Sequence, residues 1–388
     1  MLNNIMKGFN FVCPTQVVFG PGKASTVGIE IKRINGHKVF LCTDAGIIKA
    51  GLLDRVLDSL RASDLATVIF DAIQTNPTIE IIEQGYDLFK AEECDALVAV
   101  GGGSSIDTGK AIGLLSTNPA PLSQYEGADK VPNAIPPLIA IPTAAGTGAE
   151  VTFSSVITDV QRNYKISIRS PLLAPRVALL DPEMLVSLPP HIAAATGMDT
   201  LTHAIEAYTS TAGTVLTDTL ALEAIKLTAE YLPQFYANRK NLEAAAAMQH
   251  ACVWAAIAFA NGRLGNVHAM AHPLGGHFNV HHGVACAIVL PRVMEFSLAG
   301  APRKYAEVAR VMGEVVDGLS LMAAAARAPE AVYQLSRQIG IPAGLTQVGV
   351  TEERIPAMAQ DAVASGIHTT NPRQSNLEDI IALYKACM

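Results

Sequence analysis

The apolar positions of the chain follow one pattern in the first half and another in the second. In the first half, short apolar runs alternate with stretches whose apolar residues recur at helical spacing. Apolar runs bounded by turn residues predict buried strands, and their alternation with helices predicts a parallel sheet covered on both faces. The predicted strands are Thr15–Phe19, Lys38–Cys42, Ala66–Phe70, Ala96–Val100 and Leu138–Ile141, with helices such as Gly51–Leu60 and Ile79–Phe89 between them.

After Asp181-Pro182 the pattern changes, because strand signals nearly vanish and Ala- and Leu-rich helical patterns run to the C-terminus. Long buried helices are predicted over 217–232 and 241–260. We therefore predict an N-terminal α/β dinucleotide-binding domain over residues 1–182 and an all-α, metal-binding domain over residues 183–388. Three late strand patterns are predicted as β additions at the end of the first domain: Phe153–Ile157, Lys165–Ser170 and Val177–Leu180.

Composition and charge exclude several classes of protein. The chain has 388 residues, of which 50% are hydrophobic and 16% charged, as in globular proteins. The net charge is −7 and no basic tract stands out, so we expect neither nucleic acid nor a membrane as a partner. The apolar stretch 244–260 contains Gln249 and His250, which favours a buried helix over a membrane span.

The cysteines favour a cytoplasmic location. The six cysteines are scattered and form no C-x-x-C pair, so we expect reduced thiols. Cys42, Cys252 and Cys286 lie in apolar runs and are interpreted as core residues. Residues 1–11 have no sustained apolar core and no small-residue cleavage site, so no signal peptide is expected.

Two glycine-rich loops predict a dinucleotide site. Gly101-Gly-Gly-Ser104-Ser105 joins a buried strand to a helix, where free backbone N–H groups favour a phosphate. Pro142-Thr-Ala-Ala-Gly146-Thr-Gly148 follows a second buried strand, and two such loops at strand ends indicate a crevice for a dinucleotide. Asp44 also follows a strand and could hold ribose hydroxyls, which favours NAD over NADP. Capping of the next helix explains Asp44 equally well.

A carboxylate and several imidazoles predict one divalent metal ion. Asp199 and His203 are four residues apart, as are His268 and His272, so each pair shares a helix face. Five histidines lie in the segment from His268 to His282, both included, and spacing alone does not choose the ligands among them. A His-rich surface turn is the alternative. No H-E-x-x-H or serine nucleophile motif occurs, so a metal beside a dinucleotide indicates hydride transfer instead of hydrolysis.

These residues resemble the iron-containing (group III) alcohol dehydrogenases of the dehydroquinate-synthase-like superfamily, and the match runs nearly end to end. The resemblance rests on four groups of residues: Gly101-Gly-Gly-Ser104 with Asp107 and Lys110; Pro142-Thr143 with Gly146-Thr147-Gly148 and Glu150; Gly197-Met-Asp199 with His203-Ala-Ile-Glu206; and His268-Ala-Met-Ala-His272-Pro with His282-Gly283. It implies an NAD-dependent oxidoreductase that uses Fe(II), or Zn(II) or another divalent ion, on a small primary alcohol or aldehyde. It also implies a homodimer.

The resemblance assigns a role to particular residues. It makes Asp199, His203, His268 and His282 the metal ligands and His272 a proton relay near the substrate. It implies that the cofactor contacts are Asp44, Asn76, Thr78, Gly102, Gly103, Ser104, Asp107, Thr143, Thr147 and Lys165.

Arg263 departs from the residue expected at its position, because relatives usually have a small residue there. We hypothesise that Arg263, with Phe259 nearby, faces the substrate and pairs with an anionic group on it. Exposure to solvent or a dimer contact is the alternative. Two other reactions of related enzymes stay open, a hydroxyacid-oxoacid transhydrogenase and a dehydroquinate-synthase-like lyase.

Overall fold

The computed structural model describes residues 7–162 and 164–388. Residues 1–6 are outside this description. They belong to the segment 1–11, for which the sequence predicts no signal peptide, and that prediction lies partly outside the described residues. The chain divides into two compact units. One contains Val12–Ala144 and Gly148–Leu188, and the other contains Pro189–Met388 with Ala145–Thr147 and the described N-terminal residues 7–11.

The first unit is built on a parallel sheet of six strands in the order β1-β9-β6-β4-β2-β3. The central strands are buried along their whole length, as expected for a parallel sheet covered on both faces. This confirms the predicted fold class. The strands are β1 (Gln16–Phe19), β2 (Lys38–Cys42), β3 (Ala66–Phe70), β4 (Ala96–Gly101), β6 (Leu138–Pro142) and β9 (Val177–Leu180).

The helices of this unit alternate with its strands. On one face of the sheet, Phe40 of β2 packs against the rings of Phe70 and Phe89, with centroid distances of 5.8 and 5.5 Å. Ile112 belongs to the same buried cluster. The helices are α1 (Val27–Arg33), α2 (Ala45–Lys49), α3 (Asp54–Ala62), α4 (Ile79–Ala91) and α5 (Gly103–Thr117).

A small second sheet has the strand order β5-β8-β7. It consists of β5 (Gly127–Ala128), β7 (Ser154–Asp159) and β8 (Tyr164–Arg169), with β7 and β8 antiparallel. Two of the three late strand patterns are thus β additions, as predicted. The prediction was wrong for β9, which pairs with β1 and β6 inside the main sheet. Local sequence could not show this, because the pairing partners of β9 lie far away along the chain.

The second unit is helical. Its first helix, α6 (Pro190–Thr209), is buried along nearly all of its length. Helices predicted over 217–232 and 241–260 appear as α7 and α8. The helices after α6 are α7 (Val215–Ala237), α8 (Leu242–Gly262), α9 (Asn266–Phe278), α10 (His282–Ser297), α11 (Pro302–Val311), α12 (Leu321–Gln338), α13 (Ile355–Ala364) and α14 (Leu377–Ala386).

Two segments of this unit, Leu242–Gly262 and His282–Gly300, are long and apolar enough to cross a membrane by length and composition alone. In each of them, 61% of the most apolar window is buried inside the fold, and the core helices of soluble proteins pass the same test. This feature is therefore weak evidence for a membrane span.

Glycines let α6 approach its neighbours closely. A Cβ added at Gly283 of α10 would lie 2.0 Å from the carbonyl oxygen of Ala195, and one added at Gly197 would lie 2.2 Å from Leu232 Cδ1. The obstacle at Gly283 is backbone, which cannot move away as a side chain can. The α6–α10 contact therefore depends on glycine at this position.

We expect Gly283→Ala to lower the free energy of unfolding by about 1–3 kcal/mol, because a methyl group would force α10 away from α6. Gly276→Ala is the matched control, since no heavy atom lies within 4 Å of the Cβ that it would add to α9. Denaturant unfolding of the metal-free protein measures both variants. Equal stability of Gly283→Ala and wild type would contradict the close helix contact.

Candidate metal centre and nucleotide-binding loops

Three helices of the second unit supply the predicted metal ligands. Asp199 and His203 lie one turn apart on α6, His268 lies in the first turn of α9, and His282 begins α10. Between α9 and α10, Asn279 adopts a left-handed backbone conformation with φ of 54°, which ends α9. The histidines separated in sequence are thereby brought to one place.

Oδ1 of Asp199 lies at the centre of this group. Its distances to the Nε2 atoms of His282, His268 and His203 are 3.5, 3.7 and 3.9 Å. The Asp199 side chain is 4% exposed, and Oδ1 accepts no hydrogen bond from the residues that the structure describes. A buried carboxylate oxygen without a hydrogen bond is costly, so this arrangement calls for a cation.

The spacing of these atoms fits a divalent metal ion. With bonds of about 2.1 Å, donor atoms in a tetrahedral site are roughly 3.4 Å apart. The observed distances are within a few tenths of an ångström of this value for His282 and His268 and somewhat longer for His203. Carboxylate and imidazole donors suit Fe(II) and Zn(II) alike.

The charges of the site agree with its use as a ligand set. Burial alone would raise the pKa of Asp199, but the imidazoles around it, His203 above all, hold that pKa well below its usual range. Burial lowers the pKa of His203 to about 4, against the opposing effect of Asp199. At neutral pH, Asp199 is thus ionised and His203 is neutral, the forms that bind metals. The effect of burial on His268 is outweighed by Cys286, Glu206 and Asp199, which raise its pKa well above the usual value, so His268 would have to lose a proton to bind a metal.

Glu206 positions His268, a role that the sequence reasoning did not assign. Its carboxylate accepts a hydrogen bond from Nδ1 of His268 at 2.5 Å and another from the backbone N–H of Val267 at 2.6 Å. A proton on Nδ1 leaves Nε2 as the ligand atom, directed at Asp199. The signal available in the sequence was position 206, one turn beyond His203 on the same helix.

His203 is held by stacking. Its ring lies between those of Phe259 and His268, at centroid distances of 4.3 and 4.4 Å. His272 is half-buried beside the cluster, with its ring centroid 5.4 Å from that of His282 and 6.3 Å from that of His268. The structure thus places the predicted relay next to the predicted ligands.

Cys286 is fully buried, as its interpretation as a core residue expects. It also faces the histidine cluster, because its Sγ atom lies 3.7 Å from Nε2 of His282 and 4.0 Å from Nε2 of His268. Burial raises the pKa of its thiol to about 12. The signal was present in the sequence, because positions 282 and 286 are four apart and share a helix face.

Arg263 is exposed at the end of α8. Its backbone has φ of 66° and ψ of 178°, a conformation that residues other than glycine rarely adopt and that often occurs at functional sites. Exposure is what the solvent alternative expects, so pairing with an anionic substrate stays a prediction. Phe259, one turn earlier, contacts the metal cluster through His203.

In the first unit, the loop after β4 is shaped to accept an anion. Gly101 has φ of 151°, and a Cβ there would lie 2.3 Å from Oγ of Ser105, so only glycine fits. No atom lies within 4 Å of the Cβ position of Gly102, and no side chain caps α5. The space beside Gly102 and the first N–H groups of α5 from Gly103 onward therefore suit a phosphate.

Asp44 caps the next helix with one carboxylate oxygen, and its other carboxylate oxygen lies near the first glycine-rich loop. Its Oδ1 caps α2 by accepting from the N–H groups of Gly46 at 2.8 Å and Ile47 at 3.1 Å. Its Oδ2 lies 3.5 Å from the Cβ position of Gly101, next to the phosphate loop. Helix capping is therefore established, and contact with a ribose stays a prediction that this position favours.

Several other predicted cofactor residues contact one another. Nζ of Lys165 donates to Oδ1 of Asn76 at 2.8 Å, and the Thr78 side chain caps α4. Asp107 accepts from the N–H of Val156 at 3.0 Å and faces buried Lys110 at 3.5 Å, so its carboxylate joins α5 to β7.

The remaining predicted cofactor residues lie in the two glycine-rich loops. Thr143 is buried at the end of β6, and its N–H donates to the carbonyl of Gly101 at 3.1 Å. Ser104 is half-buried in the first turn of α5, and Thr147 is exposed. The assignment of cofactor contacts to all these residues stays a prediction.

Comparison with known proteins identifies the class as metal-dependent alcohol dehydrogenases. The sequence matches the family model described as "Iron-containing alcohol dehydrogenase" over residues 14–182, and "Fe-containing alcohol dehydrogenase family, C-terminal" over residues 193–388. The chain belongs to the iron-containing alcohol dehydrogenase family.

Individual relatives match over nearly their full length. The chain is 40% identical to an NAD-dependent methanol dehydrogenase of Bacillus methanolicus, over 97% of this chain and 99% of the relative. It is 42% identical to a lactaldehyde reductase of Escherichia coli (strain K12), over 94% and 96%. A crystal structure of a 1,3-propanediol oxidoreductase matches with a TM-score of 0.97 and 40% identity, over 98% of this chain and 100% of that one. The predicted family, the enzyme class, and the iron and NAD cofactors agree with these comparisons.

We expect Glu206→Gln to weaken divalent-metal binding by roughly 10- to 100-fold, the usual cost of losing a partner that orients a ligand histidine. Zn(II) titration of the metal-free protein against a competing chelator measures this loss. Glu223→Gln is the control, because Glu223 is exposed on α7 and forms an ion pair with Lys226 there. An unchanged affinity in Glu206→Gln would show that the bond to His268 is irrelevant to the metal.

Proposed function

We propose that this protein is an NAD-dependent alcohol dehydrogenase that interconverts a small primary alcohol and its aldehyde at a divalent metal held by Asp199, His203, His268 and His282. One observation carries the proposal: a buried carboxylate oxygen without a hydrogen-bond partner is surrounded by three imidazole nitrogens. Small alcohols and aldehydes appear in the names of the relatives, which supports this substrate class.

The residues divide the chemical work. A divalent cation supplies Lewis-acid polarisation of the substrate oxygen, and the nicotinamide carries the hydride. Glu206 fixes the orientation of His268, and Phe259 packs flat against His203. His272, beside the cluster but with no close approach to Asp199, is suited to move the alcohol proton.

NAD is favoured over NADP by the position of Asp44. A carboxylate next to the phosphate loop can accept hydrogen bonds from ribose hydroxyls and repels a 2′-phosphate. Fe(II) is the proposed metal, with Zn(II) or another divalent ion able to use the same donors.

A homodimer and a cytoplasmic location complete the proposal. None of the six cysteines, all of which the structure describes, forms a disulfide, which supports a reducing compartment. The first unit ends at Leu188 on the chain and the family models divide between residues 182 and 193, which supports the proposed domain boundary after residue 182. No observation favours the transhydrogenase or the lyase over the dehydrogenase.

We expect the metal-loaded protein to accumulate NADH when given NAD and a primary alcohol. His268→Ala removes a ligand and should lose bound metal and activity together, whereas His272→Ala should keep its metal and turn over about 100-fold more slowly. Metal analysis and the rate of NADH formation measure both effects.

Three outcomes would contradict this division of roles. A metal-free His272→Ala protein would make His272 a ligand. A fully loaded His268→Ala protein would remove His268 from the ligand set. Turnover without net NADH would favour one of the alternative reactions.

The hypothesis for Arg263 has its own test. If Arg263 pairs with an anionic substrate, kcat/KM for an aldehyde with a carboxylate or sulfonate should exceed that for a neutral aldehyde of equal length. We expect a difference of about tenfold, which corresponds to an ion-pair contribution of about 1.4 kcal/mol. Arg263→Ala should abolish this preference and leave kcat/KM for the neutral aldehyde unchanged. If the wild type shows no preference for charge, the hypothesis fails.

A further inference from the structure

A sulfur atom lies within the metal cluster. Cys286 is fully buried on α10, one turn after His282. Its Sγ atom lies 3.7 Å from Nε2 of His282 and 4.0 Å from Nε2 of His268, so it faces two predicted ligands at once. A buried thiol that faces two predicted ligands can bind a metal ion as well as pack in the core.

The most compact set of donors includes this sulfur. One ligand atom each from Asp199, His268, His282 and Cys286 lie within 4.8 Å of one another. His203 is not a member of this set, and its Nε2 is the imidazole nitrogen farthest from Oδ1 of Asp199.

The distances fit metal–sulfur bonding. With a metal–sulfur bond of about 2.3 Å and a metal–nitrogen bond of about 2.1 Å, tetrahedral geometry places sulfur roughly 3.6 Å from nitrogen. The observed 3.7 and 4.0 Å require only a small adjustment of the Cys286 side chain.

An independent observation also points to a cation at this place. Oδ1 of Asp199 is buried, lacks a hydrogen-bond partner and belongs to the same compact set. A cation bound near Oδ1 therefore lies within reach of both the imidazoles and the sulfur.

We propose that Cys286 is an additional ligand of the divalent metal, through its thiolate sulfur, beside Asp199, His203, His268 and His282. As the metal–sulfur bond forms, the S–H bond breaks and its proton passes to solvent, as in other thiolate sites. This inference rests on the metal site of the proposed function.

A sulfur ligand changes which metals the site prefers. Thiolates are soft donors that suit zinc, whereas Mn(II) prefers oxygen donors. A site with Cys286 as a ligand therefore discriminates in favour of Zn(II) more strongly than three imidazoles and one carboxylate would.

X-ray absorption at the zinc edge of the full-length, Zn(II)-loaded protein tests the proposal directly. We expect one sulfur at about 2.3 Å from zinc in the wild type. This scatterer should disappear in Cys286→Ala and persist in Cys252→Ala, which removes another buried thiol of the same unit.

Competition with a chelator gives a second readout. In Cys286→Ala, Zn(II) affinity should fall by roughly tenfold or more, because even the loss of a residue that only orients a ligand costs about that much. Mn(II) affinity should change less.

The outcomes separate this inference from the proposed function. A wild-type first shell of nitrogen and oxygen alone, in an enzyme that forms NADH, would overturn the role of Cys286 and leave the function standing. A sulfur scatterer that persists in Cys286→Ala would also overturn it. Failure of the wild type to bind zinc or another divalent ion would reject both the metal site and its sulfur ligand.

Discussion

The helical unit depends on one buried charge. The carboxylate of Asp199 lies in an apolar interior and has no hydrogen-bond partner for Oδ1, which would be costly unless a cation were bound there. The three imidazoles around it come from helices that pack closely, and Gly283 permits the approach of α10 to α6. Helix packing therefore also sets the geometry of the proposed ligands, since a shift of α6 or α10 would separate donor atoms that have to converge on one ion.

The groups around the ligands refine this arrangement. Glu206 turns Nε2 of His268 towards Asp199, and Phe259 keeps the ring of His203 in place. Contacts of this kind set the basicity and direction of ligands in metal sites, so we expect Glu206 and Phe259 to contribute to metal affinity without touching the metal. Cys286 adds a donor of different chemistry, and its presence makes the choice of metal a property of this chain as well as of its family.

The nucleotide loops obey a different constraint, which is the geometry of a parallel sheet. Strands β4 and β6 are neighbours, so the loops that follow them start at the same edge, and Thr143 bonds to Gly101 across that edge. The open space at Gly102 and the uncapped start of α5 then provide N–H groups for a phosphate. Asp44 reaches this loop because β2 is the other neighbour of β4.

Local pattern determined much of this protein. Runs of apolar residues gave the strands of the main sheet nearly to the residue, and helical periodicity gave α7 and α8, because burial depends on local spacing. The histidine spacing and the glycine loops indicated a metal and a dinucleotide.

Tertiary structure decided what spacing cannot show. It placed β9 inside the sheet, gave Glu206 its partner and brought Cys286 to the ligands. Each of these contacts joins different elements of the fold, and its geometry exists only once they have packed against one another.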